Sequence, residues 1–407
     1  MDIKGYCTPQ GSLLYKNKFR KEVADDFFSL TKQGVHLSSF GIGMYKGESN
    51  DKGDTYWEKS INNGITKGIN VIDTSIKYRK MRSEKVVGKI INKSIQNENI
   101  KRDQVFISTK GGLISFPEGV NKNEHIKSIV KICKLNENKL YKSFACYDKK
   151  FIEREIDISR SNLRLKTIDC YFLHNPEIIF LNRSIDNPYN EFFQLFELLE
   201  KKVNAGLIKS YGIASWNGLR RLPNSPFYLD IEKLCEIANK IAGNNHHFHY
   251  LEIPLSIGMP YTYSRLKDLN EKLNIFTSAS LYEGHLLHLF NLARLMSIVG
   301  IEESYNNEKP ADISLPLSEN SIIQLFDLIM ILREKNIEIK TEISKVFGNF
   351  NNTYISALNS VRSVKFVTTA LVGVDRPEYI KDHLIIRKIK KTDPHLTNNF
   401  WKSISGH

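Results

Sequence analysis

The chain has 407 residues, 41% of them hydrophobic and 25% charged, with a formal net charge of +13. That composition excludes a disordered, collagenous or disulfide-built chain and is ample for a large buried core. The basic residues are spread along the whole sequence without regular aromatic interleaving, which reads as a solvated surface and argues against nucleic-acid binding.

The five cysteines (Cys7, Cys133, Cys146, Cys170, Cys235) form no metal-ligand or CxxC spacing. Reduced thiols in a cytoplasmic protein are the expectation, with no metal site. The N-terminus lacks an apolar core of signal-peptide length. The most apolar stretch, SIIQLFDLIMIL (321–332), is interrupted by Gln324 and Asp327. It reads as a buried helix too short to span a membrane.

In chain order, residues 1–35 form an extension in which FFSL (27–30) and VHLSS (35–39) can pair as a hairpin across a barrel floor. Eight short apolar runs follow: 38–44, 69–73, 104–109, 168–174, 208–215, 250–257, 273–279 and 369–374. Helix-length amphipathic segments separate them. Val86, Val87, Ile90 and Ile91 make one face, and Phe192, Phe196, Leu199 and Val203 another. Strands alternating with helices imply parallel βαβ units, and eight of them imply a closed (β/α)8 barrel of the TIM type. No GxGxxG opens a helix after any run, so an open dinucleotide-binding sheet is not signalled. One barrel is expected over 36–390, with long loops after strands 3 (111–150) and 7 (285–350) and a tail over 391–407. The first of these loops starts over the barrel mouth and carries Phe116, Tyr141, Phe144 and Tyr147.

Chemistry gathers at the ends of these runs, where a parallel barrel forms its active site. GINVIDTSIKYRKMRSE (68–84) supplies Asp73 and Tyr78, QVFISTKGG (104–112) supplies Lys110, TIDCYFLHNPE (167–177) supplies His174, and GLIKSYGIASWNG (206–218) supplies Ser215. Hydride addition to a carbonyl leaves an alkoxide that needs a proton. A tyrosine can give it if a nearby ammonium stabilises the phenolate. Lys110 would serve Tyr78 in this way, Asp73 would keep Lys110 charged and aimed, and His174 would orient the carbonyl oxygen. Each residue alone has a plainer account: a helix cap for Asp73, surface packing for Tyr78, a turn for Lys110, a satisfied buried histidine for His174. Together, in this order and at these strand ends, they point to one device.

These segments resemble the aldo-keto reductase family. GINVIDTSIKYRKMRSEKVVG is similar to its GINxxDTAxxYG…RSE signature, FISTK to its lysine strand, DCYFLHNPE to its histidine strand, and GLIKSYGIASWNG to its GKIRxxGVSN segment. The resemblance implies a (β/α)8 barrel that binds NADP(H), or alternatively NAD(H), and reduces small carbonyl compounds. It implies Asp73, Tyr78, Lys110 and His174 as catalytic residues. It implies cofactor contacts from Asp73, Ser215, Glu252, Leu281 and Gly284, and from Gly373, Asp375, Tyr379, Asp382 and His383 in TTALVGVDRPEYIKDHL (368–384).

The departures are specific. Arg79 replaces the Gly that usually follows the tyrosine. Ser215 stands in place of an Asn, Glu252 in place of a Gln, and Leu255-Ser256 in place of a YN pair. Asp375 would repel a 2′-phosphate that Arg376 would attract, so the NADP(H)–NAD(H) balance stays open. An alternative reading is a nicotinamide-binding scaffold or regulatory subunit with weak turnover, as in the potassium-channel β-subunits of the same family. A third is a reductase of large or carrier-bound substrates.

Overall fold

The computed structural model describes residues 2–135, 139–141, 144–181, 187–221, 223–266, 269, 271–282, 328, 330–332, 334, 337–350 and 352–405. The described chain forms two compact units. One comprises Met1–Ile253, Leu269–Ser278 and Phe366–Lys390; the other comprises Pro254–Asp268, Ala279–Lys365 and Lys391–His407.

The first unit contains a short hairpin of β1 (Phe28–Leu30) and β2 (His36–Ser38), antiparallel with Ser29 opposite Leu37. Among the described residues, eight further strands close a barrel: β3 (Phe40–Gly43), β4 (Val71–Asp73), β5 (Phe106–Gly111), β8 (Cys170–His174), β9 (Tyr211–Ala214), β10 (Phe248–Pro254), β11 (Asn274–Ser278) and β12 (Val367–Val372). Neighbours pair in parallel, as in Asp73 opposite Ser108 and His174 opposite Ala214. Each apolar run read from the sequence therefore contributes one barrel strand. The helices between them are amphipathic because one face must cover the barrel. Val86, Val87, Ile90 and Ile91 of Arg82–Gln96 are all buried, as are Phe192, Phe196 and Leu199 of Tyr189–Asn204.

The hairpin closes the floor. Val35 and Leu37 pack with Val71, Phe106, Phe172, Tyr250, Phe276 and Leu371 in the barrel interior. Asn70 holds it there by accepting from Ser38 N at 2.8 Å and donating to His36 O at 2.9 Å. With the floor plugged, the strands' C-terminal ends are left as the mouth.

The long segment after β5 contains a helix (Lys122–Cys133), capped by Asn121, and a two-residue hairpin of β6 (Leu140–Tyr141) and β7 (Ala145–Cys146). In the second unit, helices Tyr261–Leu266, Ile339–Phe347, Thr353–Arg362 and Pro394–Ile404 are described. Tyr263 stacks on Trp401 (centroids 5.6 Å apart), and Trp401 Nε1 donates to Ser360 O at 3.1 Å. Residues 391–407, a tail on sequence grounds, thus carry a packed helix. Gly284 and most of 285–350, including most of 321–332, lie outside the described residues. Among the described residues, no helix is long and apolar enough to cross a membrane.

Candidate active site at the barrel mouth

Asp73 and His174 are the last residues of β4 and β8, and Lys110 is the penultimate residue of β5. Strand alternation would send neighbouring side chains to opposite sides, and Lys110 points inward, fully buried. Its ammonium pairs with Asp73 Oδ2, donates to Thr74 O at 3.1 Å, and stands 3.1 Å from Glu252 Oε2 on β10. Ser108 Oγ donates to Asp73 Oδ1 at 2.7 Å. Lys110 Nζ also lies 5.3 Å from the centre of the Tyr78 ring, which meets the His174 ring edge-on at 5.8 Å. The structure thus brings Asp73, Tyr78, Lys110 and His174 to one place.

The electrostatics differ from the simple expectation for Tyr78. Burial pushes its phenol up, Lys110 pulls it down, and the carboxyls of Glu252 and Asp73 push it up again. The net direction is upward, with burial the largest cause and the two carboxyls offsetting part of the pull of Lys110. Lys110 is itself held above its ordinary value: burial lowers it, but Asp73 and Glu252 more than offset that. His174 is driven well below its ordinary value by burial and by Lys110 and Lys77, so its imidazole is neutral. Its Nδ1 sits 3.4 Å from Ser75 Oγ, a neighbour the sequence did not single out.

Two supports were not legible beforehand. Arg79, Lys80 and Met81 follow Tyr78 with φ of 50°, 55° and 69°. Three successive non-glycine residues in the left-handed region are costly. The Arg79 guanidinium offsets this: it is buried, donates to Glu48 O from Nε (2.9 Å) and Nη2 (2.5 Å), and pairs with Asp54 at 2.6 Å. Asp54 is also held by Arg82 at 2.7 Å. The second support is Tyr147, from the segment after β5. Its hydroxyl lies 2.6 Å from His174 O and 2.8 Å from Asn175 O, so it braces the turn behind His174. Gly112 makes room for its ring. The paired glycines after Lys110 were the available signal of such a close approach.

Ser215, just past β9, is buried; its backbone N–H donates to Glu252 O at 3.0 Å and its Oγ accepts from Leu219 N at 3.3 Å. Glu252 faces Lys110 and Asp73 in the interior. Beyond β12, Gly373 is exposed and Tyr379 is 42% exposed, with Arg376 over its ring at 5.9 Å; Asp375 is half-buried and Asp382 exposed. His383 is buried: its Nδ1 meets Tyr379 O at 2.6 Å and its ring packs against Phe40. Leu281 belongs to the second unit.

Residues 39–225 match the family model described as the aldo/keto reductase family. This segment belongs to that family. It holds all four residues of the mouth cluster contributed by β4, β5 and β8 and their loops. The NAD(P)H-dependent D-xylose reductase I,II of Candida tropicalis is 25% identical over 201 residues, covering 46% of this chain and 50% of the relative. Aldo-keto reductase YhdN of Bacillus subtilis is 24% identical over 195 residues, 47% of each. The chain spans about half the length of the curated relatives it matches. Among solved structures, an aldo-keto reductase from Bacillus halodurans in its holo form superposes with a TM-score of 0.57 at 16% identity, covering 93% of this chain and 97% of that one. The glycerol dehydrogenase of Gluconobacter oxydans gives 0.56 at 15%, covering 94% and 95%. These two likenesses establish the barrel fold.

Proposed function

We propose that the chain is an NAD(P)H-dependent reductase of small aldehydes or ketones, acting in the cytoplasm, with Tyr78 as the general acid. The observation that carries this is the buried Lys110–Asp73 pair set against the Tyr78 ring, with neutral His174 beside it. The curated relative from Candida tropicalis bears NAD(P)H in its name, and several residues that the resemblance assigns to the cofactor are exposed beyond β12. Gly373 is open, a Cβ there meeting nothing nearer than 3.8 Å. Tyr379 offers an exposed ring, and Arg376, Asp375 and Asp382 offer charges beside it. His383 does not fit as a contact, being turned inward. NADP(H) is the form favoured, with NAD(H) the other.

The bound nicotinamide would supply a hydride to the carbonyl carbon. The chain's own residues do the rest. Neutral His174 can donate one N–H to the carbonyl oxygen without adding charge to the pocket. Tyr78 gives its phenolic proton to that oxygen as negative charge develops. Lys110 stabilises the phenolate left behind, and Asp73 with Thr74 O holds Lys110 in place.

Titrating NADPH and NADH separately by nicotinamide fluorescence into wild type and Tyr78→Phe, followed by a carbonyl panel, tests this. Binding in both proteins with turnover lost only in Tyr78→Phe is expected, by about a hundredfold or more. Binding without turnover in wild type would instead favour the scaffold reading. Binding of neither cofactor would overturn both.

A further inference from the structure

Glu252 lies in the middle of β10 with its side chain inside the barrel, 6% exposed. It shares a dry pocket with Lys110 and Asp73, whose side chains are 1% and 3% exposed. Were every group ionised, one ammonium would face two carboxylates with almost no water to screen them. Two like charges at such range do not both persist.

The hydrogen bonds decide where the proton goes. Asp73 has donors on both oxygens: Ser108 Oγ on Oδ1 and Lys110 on Oδ2. Glu252 has an ion contact with Lys110 at 3.1 Å, yet its Oε2 receives no well-directed hydrogen bond among the described residues. The Asp73 and Glu252 carboxyls converge on the same ammonium, each within ion-pair distance of Lys110 Nζ. A proton on one of them removes the repulsion between two anions. Asp73, already served by two donors, is the better anion, so the proton belongs on Glu252.

We propose that Glu252 is a neutral carboxylic acid and acts as a positioning residue for Tyr78, its ionisation shutting down proton donation to substrate. This rests on the reading of Tyr78 as the general acid. When Glu252 loses its proton, the pocket gains a negative charge where the Tyr78 phenolate must develop. It is the ionised Glu252 carboxylate that pushes Tyr78 upward, so loss of the Glu252 proton opposes phenolate formation. Reduction should therefore fall on the alkaline side. Burial and the neighbouring Asp73 charge push Glu252 up to about 8, against the partial pull of Lys110.

The other groups facing this cluster leave Glu252 as the one placed to titrate there. Asp73 comes from β4 and Lys110 from β5. Cys170 on β8 faces both but is pushed well up by burial, and His174 on β8 is held neutral. On β9, Tyr211 donates to Glu200 at 3.0 Å. On β10 itself, Tyr250 is pushed well up by burial and His249 is lowered to about 4. Strands β3, β11 and β12 carry no titratable side chain. A protonated Glu presents one donor and one acceptor, as Gln does, and Gln is the residue the resemblance places here.

The test is Glu252→Gln, which keeps the donor and cannot ionise. Wild-type turnover should fall about tenfold per pH unit above the midpoint, and that limb should vanish in Glu252→Gln. An unchanged limb overturns the proposal. Infrared difference spectra of the free protein give a readout that needs no turnover. A carboxylic-acid C=O band should persist above about pH 6 and titrate with the same midpoint. It should disappear in Glu252→Gln. Glu155, also raised to about 8, is removed in a Glu155→Gln background so that its band does not interfere. If Glu252→Gln fails to fold, the band in that background decides. Its absence, or its survival in a folded Glu252→Gln, overturns the proposal. A protein that shows the band but reduces no carbonyl would keep the neutral Glu252 and lose the Tyr78 reading instead.

Discussion

Gly112→Ala should destabilise the protein and displace His174 through a side chain that touches neither substrate nor cofactor. Gly112 has φ of +113° and lies directly after β5. A Cβ there would sit 2.4 Å from Tyr147 Cε1 and 3.0 Å from Cδ1. The backbone has little freedom to retreat, because Gly112 N donates to Glu155 Oε2 at 2.6 Å and Gly112 O accepts from Cys146 N at 2.8 Å. The Tyr147 ring, 2% exposed, must move instead. Backbone strain at such a φ costs about 1–3 kcal/mol, and forcing a methyl into a filled core about 1–3 kcal/mol. The sum, about 4 kcal/mol, should appear as a lower urea midpoint with unchanged slope. Turnover should fall as Tyr147 loses its hold on His174 O, while cofactor affinity stays. Adding Tyr147→Ala removes the clash but not the strain, so the double-mutant cycle should show a favourable coupling of about 1–3 kcal/mol. A Gly112→Ala protein within about 1 kcal/mol of wild type, or a strictly additive cycle, would refute the reasoning.

Two further predictions follow from the same geometry. Arg79→Gly relieves one strained residue but removes the guanidinium from Glu48 O and Asp54; stability should fall by about 2–4 kcal/mol, with Arg79→Ala lower still by about 1 kcal/mol. Urea midpoints check the order, and an Arg79→Gly protein as stable as wild type would sink the anchoring role. Lys110→Met leaves Asp73 and Glu252 buried without a cation, at a cost of about 3–5 kcal/mol. Glu252 already has a folded pKa above its unfolded one, so the folded state binds the proton more tightly, and stability falls as pH rises from its ordinary 4.5 toward about 8. Without Lys110 both carboxyls shift further up, so the deficit should be smallest at acid pH and grow with alkalinity. Melting across that range checks the sign.

The succession of apolar runs was enough to fix the number and order of the barrel strands, because a strand buried on both faces reads locally as a short continuous apolar run. It also placed Asp73, Lys110 and His174 at the mouth, since parallel strands must end at one face. The floor hairpin was legible from its own short apolar runs. The N-terminal helix Pro9–Phe19 was not read from the sequence, although Thr8 as its cap and Pro9 at its first position mark its start.

What the tertiary structure alone decided depends on contacts between residues far apart in the chain. Glu252, which the resemblance gives as a cofactor contact, reaches Lys110 across the barrel interior, a contact that no local pattern in the sequence announces. His383 is drawn inward against Phe40, because the packing of Pro377–His383 sets which face is buried. Arg79 keeps a glycine-like backbone through a carbonyl and a carboxylate some 30 residues earlier. Tyr147 braces His174 from an inserted segment with no periodic signal. Side-chain aim, backbone strain and ion pairing are set by these long-range neighbours, and no local pattern encodes them.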